Sequence, residues 1–155
     1  MKIKPGLGEL LRYTGELVDK GAEEHYRALA LNYRPRYTPV LRAINAGAVT
    51  VQDITAATHL TQGAISQSVA LMEQEGILFR EQLSDGRKFA LHLTPSGSEL
   101  VAQLEARWEA IFTAIGQLEK EIGLPLIAGL EALAAALEKQ GFAERIQQAA
   151  GEKHA

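Results

Sequence analysis

No cysteine occurs among the 155 residues. Its absence excludes a disulfide framework, a thiolate metal site, a cysteine nucleophile and a cysteine-based redox sensor. Long apolar runs are missing as well. The opening MKIKPGLGELL carries two lysines, but Gly and Glu interrupt its apolar residues, so no signal peptide or membrane span is expected and the default compartment is the cytoplasm. His25, His59, His92 and His154 stand far apart with no i, i+4 pair, so neither a metal nor a cofactor is expected. No nucleophile-base pair, phosphate-cradling loop or convergent acid pair falls at a recognisable spacing, which argues against an enzyme.

Positive charge is not in excess either. The net charge is -3, and its distribution is uneven: residues 1–34 hold six Lys/Arg and five Asp/Glu, 35–98 hold five and five, and 99–155 hold five and nine. What the chain does have is a globular composition, 46% hydrophobic and 23% charged, with glycines and prolines placed as punctuation. A chain of this length makes one domain, 1–155, whose core covers about two-thirds of its unfolded surface.

From Leu7 to about Leu31, Leu7, Leu11, Thr14, Val18, Gly21, His25 and Ala28 recur in steps of four and three, the stripe of a long amphipathic helix. A helix of about 25 residues spans roughly 37 Å, more than a small core requires, so part of the stripe is expected to meet a second chain. In NYRPRYTPVLRAINAG, either Pro35 or Pro39 suits the first turn of the next helix, and Thr38 would cap the second option. Val40, Leu41 and Ile44 then face inward, and Gly47 ends that helix.

The stretch from Thr50 to Leu93 carries the most specific pattern. Thr50 and Asp53 form a capping box before a short helix with Val51, Ile54 and Ala57 on its apolar face. Thr58-His59-Leu60 makes a turn, and Thr61 caps a second helix whose buried side is Ile65, Val69 and Met72 and whose stop is Gly76. After Gly76 the period changes to two. Ile77 to Gln82 and Phe89 to Leu93 alternate as the strands of a hairpin around Ser84-Asp85-Gly86-Arg87-Lys88. Thr94-Pro95 then opens the longest helix, to about Ile122, and Gly123 and Pro125 separate it from one lined by Leu126, Ile127, Leu130, Leu133 and Leu137. Phe142 to Ala150 suits a short final helix.

The expected architecture is therefore mainly α with a small β-hairpin wing. A winged helix-turn-helix reading head at 35–98 is flanked by helical dimerisation segments at 5–34 and 99–150. Paired heads suit a pseudo-palindromic DNA site with half-sites about one helical turn apart. On the second helix of the motif, Gln62 and Gln67 are fitted to bidentate pairing with adenine, with Thr61 and Ser66 beside them. Gly63 and Ala64 leave the helix start uncrowded, which suits either approach to a phosphate or close packing on the preceding helix. Arg87 and Lys88 at the hairpin tip suit a minor groove, and Arg80 in the wing strand suits a phosphate.

Three groups of residues resemble the MarR family of winged helix-turn-helix regulators. They are Val40-Leu41-Arg42-Ala43-Ile44, Leu60-Thr61-Gln62-Gly63-Ala64-Ile65-Ser66 with Gly76-Ile77-Leu78, and Asp85-Gly86-Arg87 followed by Leu91-His92-Leu93-Thr94-Pro95-Ser96-Gly97. The last looks like the family's D-x-R and L-T-x-x-G signature. The resemblance covers essentially the whole chain. It implies a homodimer with intertwined terminal helices, a recognition helix in the major groove, a wing at the minor groove and release of DNA by a small, often aromatic, effector. Tyr13, Tyr26, Tyr33, Tyr37 and Trp108, with His25, are the candidate lining of an effector pocket. The expectation is a homodimeric repressor of double-stranded DNA operators; the alternative is a winged-helix dimer that serves as a protein- or ligand-interaction module with little DNA affinity. Few cations are available to displace counterions, so log Kd for DNA should change with log salt on a shallower slope than in strongly basic repressors. Titrations of one duplex at several salt concentrations measure it, and a steep slope would overturn the expectation.

Overall fold

The computed structural model describes residues 1–84, 86 and 88–154, the side chains of Lys153 and His154 excepted. Asp85 and Arg87 thus lie outside the described residues, as does the side chain of His154. In chain order the elements are α1 (Leu7–Ala28), a 3-10 turn (Pro35–Tyr37), α2 (Thr38–Asn45), α3 (Val51–Ala57), α4 (Gln62–Gln74), β1 (Leu78–Gln82), β2 (Phe89–Leu93), α5 (Pro95–Ile122), α6 (Leu126–Lys139) and α7 (Phe142–His154). They fall into two compact units, Met1–Gln103 and Leu104–Ala155. The expected class, helical with one antiparallel hairpin, is the one observed.

In the first unit α1 ends at Ala28, three residues short of the end expected near Leu31. The Ala30 N–H donates to the Arg27 carbonyl at 3.0 Å and the Leu31 N–H to the Tyr26 carbonyl at 3.3 Å, the pairing of a Schellman stop. It places Ala30 at φ 55, a left-handed conformation that a glycine would adopt without the Cβ penalty. Both prolines that competed as helix starts are used: Pro35 opens the 3-10 turn and Pro39 sits in the first turn of α2. Thr38 does not cap α2; its hydroxyl lies 2.5 Å from that of Tyr33.

Tyr37, Val40, Leu41, Ile54, Ile65, Val69 and Met72 have no exposed surface and form the core of the reading head. Apolar positions three and four apart on α2 and α4 bring this about, since each helix turns one stripe inward. The wing pairs Leu78 with Leu93, Arg80 with Leu91 and Gln82 with Phe89. Residues 48–50 contribute a single ladder bond, from the Leu91 N–H to the Val49 carbonyl at 2.7 Å.

One hydroxyl joins three elements. Thr94 Oγ1 donates to the Gly76 carbonyl at 2.5 Å, just past the end of α4, and accepts from the Gly97 N–H at 2.9 Å in the first turn of α5. The Thr94 N–H donates to the Ile77 carbonyl at 3.0 Å. Gly97 lies directly on that strand start, where an added Cβ would stand 2.1 Å from the Ile77 oxygen.

The second unit contains the remainder of α5 with α6 and α7. Leu104 and Trp108 are buried, while Phe112, Leu118, Ile122, Leu124, Ile127, Leu130, Phe142 and Ile146 are exposed. Gly123, at φ 72, ends α5. Arg145 staples α7 to the end of α6 by donating to the Ala136 and Gln140 carbonyls, each at 2.9 Å. A cation at a helix C-terminus both satisfies orphan carbonyls and opposes the helix dipole.

The joint at Thr94 sets a test of stability. Gly97→Ala forces backbone apart and should cost about 3 kcal/mol, the upper part of the range for overpacking, whereas Thr94→Val removes the shared hydroxyl and should cost about 1–2 kcal/mol. Urea unfolding of both variants measures the difference. A Gly97→Ala protein as stable as the parent would show that the joint is loose.

Candidate nucleic-acid interface

The site is assembled from two helix starts and a strand pair. Thr50 Oγ1 accepts from the Asp53 N–H at 3.1 Å, and Asp53 Oδ2 accepts from the Val49 and Thr50 N–H groups at 2.9 and 3.0 Å. These backbone bonds, Val49 first and Thr50 second, hold the Asp53 carboxyl below its usual range, with the Lys88 ammonium adding a smaller pull. The turn is closed by Thr58, whose hydroxyl donates to the Ile54 carbonyl at 2.8 Å and accepts from the Leu60 N–H at 3.3 Å. Thr61 then caps α4 by accepting from the Ala64 N–H at 3.1 Å.

Burial of Ile65, Val69, Met72 and also Ser68 fixes the rotation of α4. Thr61, Gln62, Gly63, Ala64, Ser66 and Gln67 are all left exposed. A Cβ added to Gly63 would meet nothing within 4 Å, so packing inside this chain does not require a glycine there. Gln62 and Gln67 lie on different flanks of the helix, about 140° apart at 100° per residue. Gln62 faces a cleft of about 200 Å³ shared with the wing, and Gln67 faces a larger cavity beside α1.

Thr50, Val51, Gln52, Gln62, Arg80, Lys88, Phe89 and Leu91 line the wing cleft. Arg80 is fixed on two sides: its Nε donates to Glu73 Oε1 at 2.6 Å, and its guanidinium carbon lies 5.7 Å from the centre of the Phe89 ring. An arginine held this way loses little freedom when it meets a phosphate, although Glu73 offsets part of its charge. At the tip, Gly86 at φ 71 donates to the Leu83 carbonyl at 3.0 Å, the Leu83 N–H donates to the Lys88 carbonyl at 2.9 Å, and Gln82 Nε2 donates to the Gly86 carbonyl at 3.0 Å. Arg87 lies outside the described residues. Gln52 was missed in reading the sequence, yet it occupies the second position of α3 and follows directly from the Thr50 cap.

The aromatic and histidine candidates have separate surroundings. Tyr13 is exposed on α1, and His25 packs edge-on against Tyr26 with ring centres 5.3 Å apart. Tyr37 is buried and its hydroxyl donates to Glu75 Oε1 at 3.1 Å; burial first, and the carboxylate second, push its pKa up. Trp108 is buried on α5 in the second unit. The cavity beside α1 is lined by Tyr33 rather than Tyr13, His25 or Tyr37.

Two short helices joined by a tight turn, followed by a hairpin packed at the base of the second, define a winged helix-turn-helix protein. Residues 31–88, most of the reading head, match the sequence model of the MarR family. No curated protein sequence matches the chain. Solved structures share its fold. The DNA complex of MepR from S. aureus superposes with a TM-score of 0.66 at 20% identity, covering 86% of this chain and 99% of that one. BpsR of Bordetella bronchiseptica, from work on regulation of its DNA binding by 6-hydroxynicotinic acid, gives 0.61 at 21% identity over 90% and 96%. Apo MarR from E. coli gives 0.55 at 22% identity over 88% and 98%.

The Asp53 cap carries a pH signature. Its pKa is lower in the folded chain than in the unfolded one, so its contribution is complete above the ordinary carboxylate range and is lost as pH falls through the lowered value. Asp53→Asn should therefore lower Tm at neutral pH, and the gap to the parent should close as the pH falls below the ordinary carboxylate range. Thermal unfolding across that range measures it; a gap that stays constant would mean the carboxylate charge is not what holds the cap.

Proposed function

We propose that the chain is a homodimeric, sequence-specific reader of double-stranded DNA that acts as a transcriptional repressor in the cytoplasm and is modulated by a small molecule. The observation that carries this reading is the exposed polar face of α4, with Gln62 beside a cleft that also presents Arg80 and Lys88. In this reading Thr61, Gln62, Gly63, Ala64, Ser66 and Gln67 meet the major groove, while Arg80, Arg87 and Lys88 meet backbone or minor groove. Gln52 joins Arg80 and Lys88 around one phosphate in the wing cleft. MepR was solved on DNA, and the work on BpsR concerns regulation of its DNA binding by 6-hydroxynicotinic acid, which supports both halves of the proposal.

The reading head is 35–98, and the segments 5–34 and 99–150 form the dimer. Leu7, Leu10, Leu11, Leu17 and Val18 leave α1 with an uncovered apolar face, as Phe112, Leu118, Ile122, Ile127 and Leu130 leave α5 and α6. Apolar surface of this extent on helices is the kind that a second copy covers. No described helix is long and apolar enough to cross a membrane. We propose no catalytic role for any residue, in keeping with the match of residues 31–88 to the MarR family.

Selection from random duplexes should recover a two-fold symmetric site. Gln62→Ala and Gln67→Ala should each relax base preference at one position per half-site, by about 1–3 kcal/mol of discrimination. Arg80→Ala and Lys88→Ala should weaken all sequences alike and reduce the salt slope by about one each. Failure to enrich any sequence at low salt would sink the DNA reading and leave the interaction module as the better account.

A further inference from the structure

Glu73 stands in the last turn of α4, one residue before the helix ends. The helix dipole disfavours a carboxylate at that end, so the residue is not explained by the helix that carries it. Eleven residues separate it from Gln62, which places the two about 20° apart around the axis and about 16 Å apart along it, on the flank that faces the wing. Gln62 and Arg80 line the wing cleft, and Glu73 does not.

Glu73 reaches the cleft through Arg80. The arginine Nε donates to Glu73 Oε1 at 2.6 Å, and its guanidinium carbon lies 5.7 Å from the centre of the Phe89 ring, diagonal to it on the same face of the hairpin. A bond at Nε leaves the terminal nitrogens of the guanidinium for a phosphate. The next residue in the strand supplies a contrast. Glu81 turns to the opposite face of the hairpin, where its Oε2 lies 2.8 Å from His92 Nε2.

We propose that Glu73 is a positioning residue for sequence discrimination: it holds Arg80 against Phe89 so that the arginine meets the DNA backbone only in the register that also seats Gln62. The held arginine imposes one register on every duplex. An arginine released from Glu73 follows the backbone in any register, so duplexes that lack the site gain more from its release than the selected duplex does. The role rests on the DNA reading proposed above, and it assigns to Glu73 no contact with DNA of its own.

The test measures binding of the whole chain to the selected duplex and to a scrambled duplex of the same length and composition, at one salt concentration. Glu73→Ala should tighten the scrambled duplex by about threefold and lower the ratio of the two affinities by about threefold to fivefold, the scale of a solvated ion pair. Glu73→Asp keeps the charge but shortens the reach, so it should lower the ratio while leaving scrambled affinity closer to that of the parent. In an Arg80→Ala background neither substitution should change the ratio, because the residue they act through is gone. Glu81→Ala removes the same charge from the neighbouring position and should leave the ratio as it is in the parent. An unchanged ratio in Glu73→Ala and Glu73→Asp overturns the role. So does an equal fall in Glu81→Ala, which would make the effect one of charge alone, or a fall that persists without Arg80. If the parent enriches no duplex, the DNA reading fails and this role fails with it; enrichment with an unchanged ratio sinks the role alone.

Discussion

The hydroxyl of Thr94 is the point on which the reading head turns. Helix ends leave carbonyls and N–H groups without intrahelical partners, and here the region closing α4 and the first turn of α5 present theirs to one side chain. Replacing two separate caps by one shared atom fixes the distance between the two helices and the strand that starts between them. Gly97 is the corollary, because only a residue without Cβ lets α5 come down onto the Ile77 carbonyl. The L-T-x-x-G pattern is thereby explained by geometry: Leu93 pairs with Leu78 in the wing, Thr94 bridges, and Gly97 admits the bridge.

Most of this frame was legible in the residues. Thr50, Asp53, Thr61, Gly76 and Gly123 act locally, through caps and left-handed stops, so their positions alone locate the helix boundaries. Ile65, Val69 and Met72 gave the buried side of α4 by spacing. What spacing does not reveal is which neighbour a polar face meets. Gln62 and Gln67 looked equivalent, and only the placement of the wing and of α1 separates them into two different clefts. The same holds for Tyr37, which composition offered as a pocket lining and which packing made a core residue tied to Glu75. The early stop of α1 was hidden for a related reason: Ala30 carries no signal for a left-handed conformation that the Schellman bonds impose on it.

Charge sets a second constraint. Across the reading head cations and anions are equal in number, and Arg80 is paired with Glu73, so a single head has little long-range pull on a polyanion. In the proposed function, affinity is therefore gathered from two heads acting together. The apolar helices that join the copies then contribute to DNA binding as directly as any residue that touches it, since they set the separation at which both heads engage.

The wing has a firm base and a self-contained tip. Its base is bound to Val49, Gly76 and Gly97 through Leu91, Thr94 and the Ile77 carbonyl, whereas its tip closes on itself through Leu83, Gly86, Lys88 and Gln82. The two parts are consequently free to evolve at different rates. In the proposed function, lengthening or recharging the tip changes how far the protein reaches along a duplex without touching the bonds of the frame, and the exposed positions of α4 change what is read in the same independent way. In that function a new operator specificity needs only substitutions at the surface, because the bonds that Thr94 and Gly97 make at the joint do not involve the exposed positions of α4 or the wing tip.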